Sequence, residues 1–126
     1  MTAMLYIIRG LPGSGKTSLA KRLARTIVEA DQFMVDGNGQ YSFDPSRLAA
    51  AHESCRQKVR AALMRGGSVA VSNTFSQSWE YAPYIEMAEE LAIQYQVISL
   101  KGHPTWSSVH GVPQRTIEAM AARWEP

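Results

Sequence analysis

Residues 10–17 read Gly-Leu-Pro-Gly-Ser-Gly-Lys-Thr, and no other stretch constrains the chain as tightly. They satisfy G-x-x-x-x-G-K-[ST], the pattern of a phosphate-binding P-loop. The apolar run Met4-Leu5-Tyr6-Ile7-Ile8 ahead of them reads as a buried strand. Behind them, Ser18-Leu19-Ala20-Lys21-Arg22-Leu23-Ala24 reads as a helix with Leu19 and Leu23 on one face. Strand, glycine loop and helix in that order form the context the motif needs. A chance glycine-rich turn would not match every fixed position and both flanks.

The residue types dictate the chemistry. Gly10, Gly13 and Gly15 let the backbone take positive φ and approach an anion closely. The stretch Gly10, Leu11, Pro12, Gly13, Ser14, Gly15, Lys16, Thr17 and Ser18 would then turn successive N–H groups onto phosphate oxygens at the positive end of a helix dipole. Lys16 would add a point charge on the β- and γ-phosphates, and Thr17 would offer its hydroxyl to Mg²⁺. The expected ligand is ATP with Mg²⁺.

With 126 residues there is room for one core, so residues 1–126 are expected to form a single P-loop domain. No apolar run is long enough to span a membrane. Met1 to Ile8 is too short for a signal peptide and leads straight into the motif. Together with a single cysteine, this makes a reducing cytoplasm the expected location. Cys55 lies at helical spacing from Leu48, His52, Val59 and Leu63 and reads as a small core residue rather than a nucleophile. The net charge of +2 permits a polyanionic partner without requiring one.

Further along, Thr26 to Ala30 reads as a second strand ending at Asp31, and residues 36–46 as a turn-rich loop. Asp44 or Ser46 can cap the next helix, with Pro45 in its first turn; it stops at Gly66-Gly67. Ser68 to Ser72 is a third strand, apolar enough for a sheet interior, and Asn73 to Ser78 a polar loop at its end. A helix with Pro83 in its first turn carries Tyr84, Ala88, Leu91 and Tyr95 on one stripe. Gln96 to Leu100 is a fourth strand, residues 101–112 a loop, and Pro113 opens a last helix with Ile117, Met120, Ala121 and Trp124 on one face. Strands alternating with helices predict an α/β, three-layer P-loop fold: a short parallel sheet flanked by helices, with function at the strand C-terminal ends.

Asp31 stands where a carboxylate could face the γ-phosphate and take a proton from an attacking hydroxyl; it reads equally as a turn or cap residue. The third strand ends in Ser72-Asn73-Thr74 without the metal-side acid common in P-loop enzymes, which argues against a vigorous ATPase or motor. Charge developing in phosphoryl transfer calls for a cation. Arg115 and Arg123 are the candidates, with Lys101 and His103 as helpers; each reads alone as a solvated charge. Trp79, Trp106 and Phe75 could stack a base or simply pack, Trp124 reads as core, and His52 and His110 as structural.

Several blocks together make the chain resemble the small P-loop kinases related to phage polynucleotide kinase, grouped with AAA-type ATP-binding proteins. They are Arg9 to Thr17, Ala30-Asp31-Gln32-Phe33, Ala51-His52-Glu53, Val71-Ser72-Asn73-Thr74, Trp79-Glu80, Pro83-Tyr84 and Val109-His110-Gly111-Val112-Pro113. The resemblance implies transfer of the ATP γ-phosphate to a hydroxyl on a nucleic acid, with Asp31 as the base and Arg115 or Arg123 as a lid arginine. Two positions depart from the polynucleotide kinases. Met34 replaces an arginine that helps bind the acceptor strand, and Asn73 stands where they carry an acid. These departures favour the compact phage 5-hydroxymethyluracil DNA kinases as the nearer branch, whose acceptor is a modified base in DNA. The resemblance therefore implies DNA as partner and, for a phage-encoded chain, the host cytoplasm. A nucleoside or small-metabolite kinase, or a non-catalytic nucleotide-dependent module, remain the competing readings.

Overall fold

The computed structural model describes residues 3–34, 38–40, 44–100 and 113–126, with Asp31 and Met34 as backbone only. Four strands form one parallel sheet: β1 (Met4–Arg9), β2 (Thr26–Val28), β3 (Val69–Asn73) and β4 (Gln94–Ser99), in the order β2-β3-β1-β4. Parallel neighbours need crossovers, and helices supply them. α1 (Lys16–Leu23) leads from β1 to β2, α2 (Leu48–Met64) from β2 to β3, and α3 (Ser78–Glu90) from β3 to β4; α4 (Gln114–Ala122) follows. β1 and β3 lie inside the sheet with Ile8 opposite Ser72 and Arg9 opposite Asn73, and every residue of β3 is buried. This is the α/β P-loop arrangement the sequence predicts.

The two faces of the sheet have separate cores. On one, Ile8 and Ala70 meet Ala20 of α1, with Tyr6, Leu19, Leu23 and Ile27 around them. On the other, Leu5, Ile7, Val28, Val69 and Val71 meet Cys55, Val59, Ala62 and Leu63 of α2 and Tyr84, Met87 and Ala88 of α3. Burying one such aliphatic side chain contributes about 1.5–3 kcal/mol. The chain leaves β1 for the α1 face and β3 for the α3 face. A crevice therefore opens between their C-terminal ends, where open parallel sheets bind ligands.

Most boundaries agree with the sequence within a residue or two. Asp44 caps the 3₁₀ turn Pro45–Arg47 by accepting from Ser46 N at 3.0 Å, and α2 runs on from it. Gly66 and Gly67, at φ +88° and +89°, turn the chain away after α2. Leu48 leaves the expected stripe and is 38% exposed, whereas Cys55, Val59 and Leu63 are buried. α3 departs further: Pro83 lies inside the helix rather than in its first turn, and the helix ends at Glu90. Leu91 still packs on the core beside Tyr84 and Ala88, whereas Tyr95 belongs to β4 and is 40% exposed, so it does not continue the stripe. Ala92 takes φ +56°, Ala92 N donates to Glu89 O, and Ile93 N donates to Ala88 O at 2.8 Å, a Schellman-type stop without glycine. No helix among the described residues is long and apolar enough to cross a membrane.

Candidate active site

The loop between β1 and α1 has the geometry its glycines predict. Gly13 and Gly15 sit at φ +85° and +90°, in the left-handed region. Gly15 is the N-cap of α1 and no side chain caps that helix, which leaves its first-turn N–H groups facing the loop. Ser14 Oγ is buried there without a partner. Lys16 Nζ donates to Leu11 O at 3.3 Å, folding the lysine over the loop. The backbone cup, the Ser14 hydroxyl and the lysine suit a phosphate tail.

Gly10 is required by contact rather than by its φ. A Cβ there would stand 2.3 Å from Leu100 O and 2.4 Å from Ser14 Oγ. Gly10→Ala is therefore expected to lower stability by about 1–3 kcal/mol, as overpacking does, and to weaken nucleotide binding. Urea unfolding and a fluorescent-nucleotide titration check both; a variant indistinguishable from wild type in both would show that the loop yields.

The second wall of the crevice comes from the segment after β2. Thr17 Oγ1 donates to Glu29 Oε2 at 2.9 Å, so a carboxylate lies against the hydroxyl assigned to the cation. Sequence reading took Glu29 for strand. The strand stops at Val28, and Glu29 falls at the C-terminal end, where ligand-facing residues gather. Residues Ala30–Met34 form a 3₁₀ turn that carries Asp31. Ala30 N donates to Asn73 Oδ1 at 2.8 Å, and Asn73 Nδ2 reaches Cys55 Sγ at 3.6 Å. Asn73 thus faces α2 and ties the Asp31 turn to the end of β3. Alternation puts Ser72 on the opposite face with Ala70, on the α1 side. Ser72 is 1% exposed and its hydroxyl has no partner. The residue of β3 facing the phosphate side is therefore Ser72, not Asn73.

Arg9 closes the other side. Only 1% exposed, it donates from Nε to Phe75 O at 3.0 Å, and from Nη2 to Ser76 O at 3.2 Å and to Glu125 O. Its guanidinium lies 5.0 Å from the Tyr81 ring centroid and 4.3 Å from that of Trp124. Phe75 is buried at φ +46° and meets Tyr81 and Tyr84 edge-on, so it packs in the core rather than waiting for a base. Trp124 is half-buried, acting as a platform for Arg9 more than as part of an apolar core.

The remaining sequence candidates separate. Arg123 donates from Nε to Ser76 Oγ at 2.9 Å, and that hydroxyl bonds Glu80 Oε1 at 2.9 Å. Arg115 is exposed near the start of α4. Trp79 is 69% exposed with its Nε1 on Gln77 Oε1 at 2.8 Å. Cys55 is buried, and burial pushes its thiol pKa up, as expected of a packing residue. The Asp31 side chain, Lys101, His103, Trp106 and His110 lie outside the described residues. Two surface hollows of about 420 Å³ each, lined by Leu23, Ala24 and Arg25 among others, lie at the opposite end of the sheet from the P-loop.

Three comparisons place the chain among known proteins. A segment of human NEDD4-binding protein 2 is 30% identical over 137 residues, covering 97% of this chain and 8% of that protein. A chain in the structure of the Pnkp1/Rnl/Hen1 RNA repair complex matches with a TM-score of 0.72 at 19% identity, covering 97% of this chain and 44% of that one. Mycobacterium tuberculosis APS kinase CysC, in complex with AMPPNP and APS, matches with a TM-score of 0.57 at 17% identity, covering 79% and 63%. The chain spans less than two thirds of each of these relatives. The structural likenesses establish a kinase-like P-loop fold. The match of residues 5–105 to AAA_33, an AAA domain, shows the family, and the chain belongs to it.

Proposed function

We propose that the chain is a one-domain, ATP-dependent kinase that transfers the γ-phosphate to a hydroxyl on DNA. The observation carrying this reading is the crevice itself. The P-loop at Gly10–Thr17 touches, through Thr17 and Glu29, the segment leading into the turn that carries Asp31, and Asn73 fastens that turn to β3.

In this reading the first-turn amides of α1 and Lys16 hold the β- and γ-phosphates. Thr17 and the adjacent Glu29 carboxylate form an oxygen donor set suited to a hard divalent cation. Mg²⁺ held by Thr17 and Glu29 would neutralise part of the triphosphate's charge. Asp31 accepts the acceptor hydroxyl's proton as its oxygen bonds phosphorus, and the bond to the β-phosphate oxygen breaks to release ADP. Arg115 is the better-supported lid cation, because Nε of Arg123 is engaged with Ser76.

The preferred acceptor is the hydroxymethyl group of 5-hydroxymethyluracil, ahead of a polynucleotide 5′-hydroxyl. Met34 in place of a strand-binding arginine supports that order, by resemblance to the phage branch. The likeness to a chain of an RNA repair complex supports a nucleic-acid acceptor more broadly. The likeness to APS kinase supports the second reading, a small-metabolite kinase, and the uncharged Ser72 supports a third, a binding module without transfer.

Labelled ATP offered with hydroxymethyluracil DNA, plain DNA ends and free nucleosides separates these. Label is expected on the modified DNA, with binding that weakens steeply as salt rises. Label on nucleosides alone would support the metabolite reading. Normal nucleotide binding with no acceptor labelled would remove the kinase.

A further inference from the structure

The cation side of the crevice carries its negative charge in an unexpected place. β3 presents Ser72 on the α1 face, a buried hydroxyl with no partner and no charge. Among the described residues no cluster of three or more His, Cys, Asp or Glu is arranged to hold a metal ion. Among the described side chains, a cation at Thr17 would draw on hydroxyl and carboxylate oxygens beside the phosphates of a nucleotide. One carboxylate is in place: Glu29 Oε2 accepts the Thr17 Oγ1 proton at 2.9 Å from a half-buried position.

That hydrogen bond has two consequences. With its proton donated to Glu29, the Thr17 hydroxyl has its lone pairs left to face a cation. A carboxylate beside a triphosphate would also repel it unless a positive ion stood between them. Both suit this wall to hold a divalent cation when a nucleotide is bound. We propose that Glu29 is the carboxylate of the divalent-cation site, orienting the Thr17 hydroxyl and supplying the charge that β3 lacks. It acts on the cation directly or through the waters that Mg²⁺ retains. The proposal rests on the nucleotide-binding reading above.

The test uses the whole chain with a non-hydrolysable ATP analogue and Mn²⁺ as the probe. Glu29→Gln keeps the shape and an acceptor oxygen for Thr17, so folding is preserved. In EDTA, analogue affinity is expected to hold or to rise, since the amides and Lys16 are untouched and the unscreened carboxylate is gone. With analogue bound, Mn²⁺ affinity read by electron paramagnetic resonance is expected to fall about 10- to 100-fold. Wild-type Mn²⁺ affinity in Glu29→Gln would overturn the proposal; that is also the result if Glu29 were instead the proton acceptor. A wild-type chain that binds no analogue at all would overturn the nucleotide reading itself, a result readily told apart from the first.

Discussion

Replacing Asp31 by Asn is expected to slow phosphoryl transfer by about 10²- to 10⁴-fold, the range a positioned general base contributes. The amide matches the carboxylate in size but cannot take the acceptor's proton. Its 3₁₀ turn is held by the Ala30 N to Asn73 Oδ1 bond, a backbone contact the substitution does not touch. The phosphate cup lies on a different segment, so ATP affinity should change by no more than about twofold; loss of rate without loss of binding marks an interaction made in the transition state. Single-turnover transfer to the best acceptor, beside a nucleotide titration, provides both numbers. Near-wild-type transfer by Asp31→Asn would take this residue out of the mechanism while leaving the P-loop reading intact.

Arg9→Met should be the most damaging substitution for stability. The guanidinium satisfies three carbonyl oxygens, those of Phe75, Ser76 and Glu125, from a position 1% exposed. Methionine fills much of the volume but strands the buried Phe75 carbonyl, leaves Ser76 O with only its bond from Glu125 N at 2.7 Å, and leaves Tyr81 and Trp124 without the cation between them. Hydrogen bonds to charged groups contribute about 1.5–3 kcal/mol each and are not additive, so a loss of about 3 kcal/mol or more is expected. For a chain of this size that lowers Tm by roughly 10 °C. Arg9→Lys should recover little, because an ammonium has neither the planar fork nor the stacking face. Urea and thermal unfolding measure it; an unchanged midpoint would mean that the tail docks without the arginine.

What the sequence conveyed, and what it did not, follows from how each residue signals its role. The P-loop was legible because fixed glycines, a preceding apolar run and a following helix all agree. The end of α2 was legible because Gly66 and Gly67 announce it. The end of α3 was not, because Ala92 adopts the conformation usually marked by glycine, and the apolar stripe ran on past it in the sequence. The faces of β3 could not be read because all five residues are buried, which erases the alternation that would separate Ser72 from Asn73. Glu29 was hidden by the boundary of β2, two residues earlier than a propensity reading sets it. Arg9 read as part of the motif's lead-in. Only the tertiary fold brings Phe75, Ser76 and Glu125 around it, at separations of 66, 67 and 116 residues.

The amide of Asn73 adds a side-chain tie between two rims already joined by the β2–β3 ladder and by the packing of Ala30 and Phe33 on Ala51 of α2. That hydrogen bond, supported from behind by the Cys55 sulfur, couples the backbone of the Asp31 turn to the end of β3. Little configurational freedom is then left to surrender there when an acceptor arrives, so the ordering cost of a productive encounter falls on the acceptor and on whatever covers it. Any tuning of turnover by temperature or viscosity should originate on that outer side rather than in the floor of the cleft.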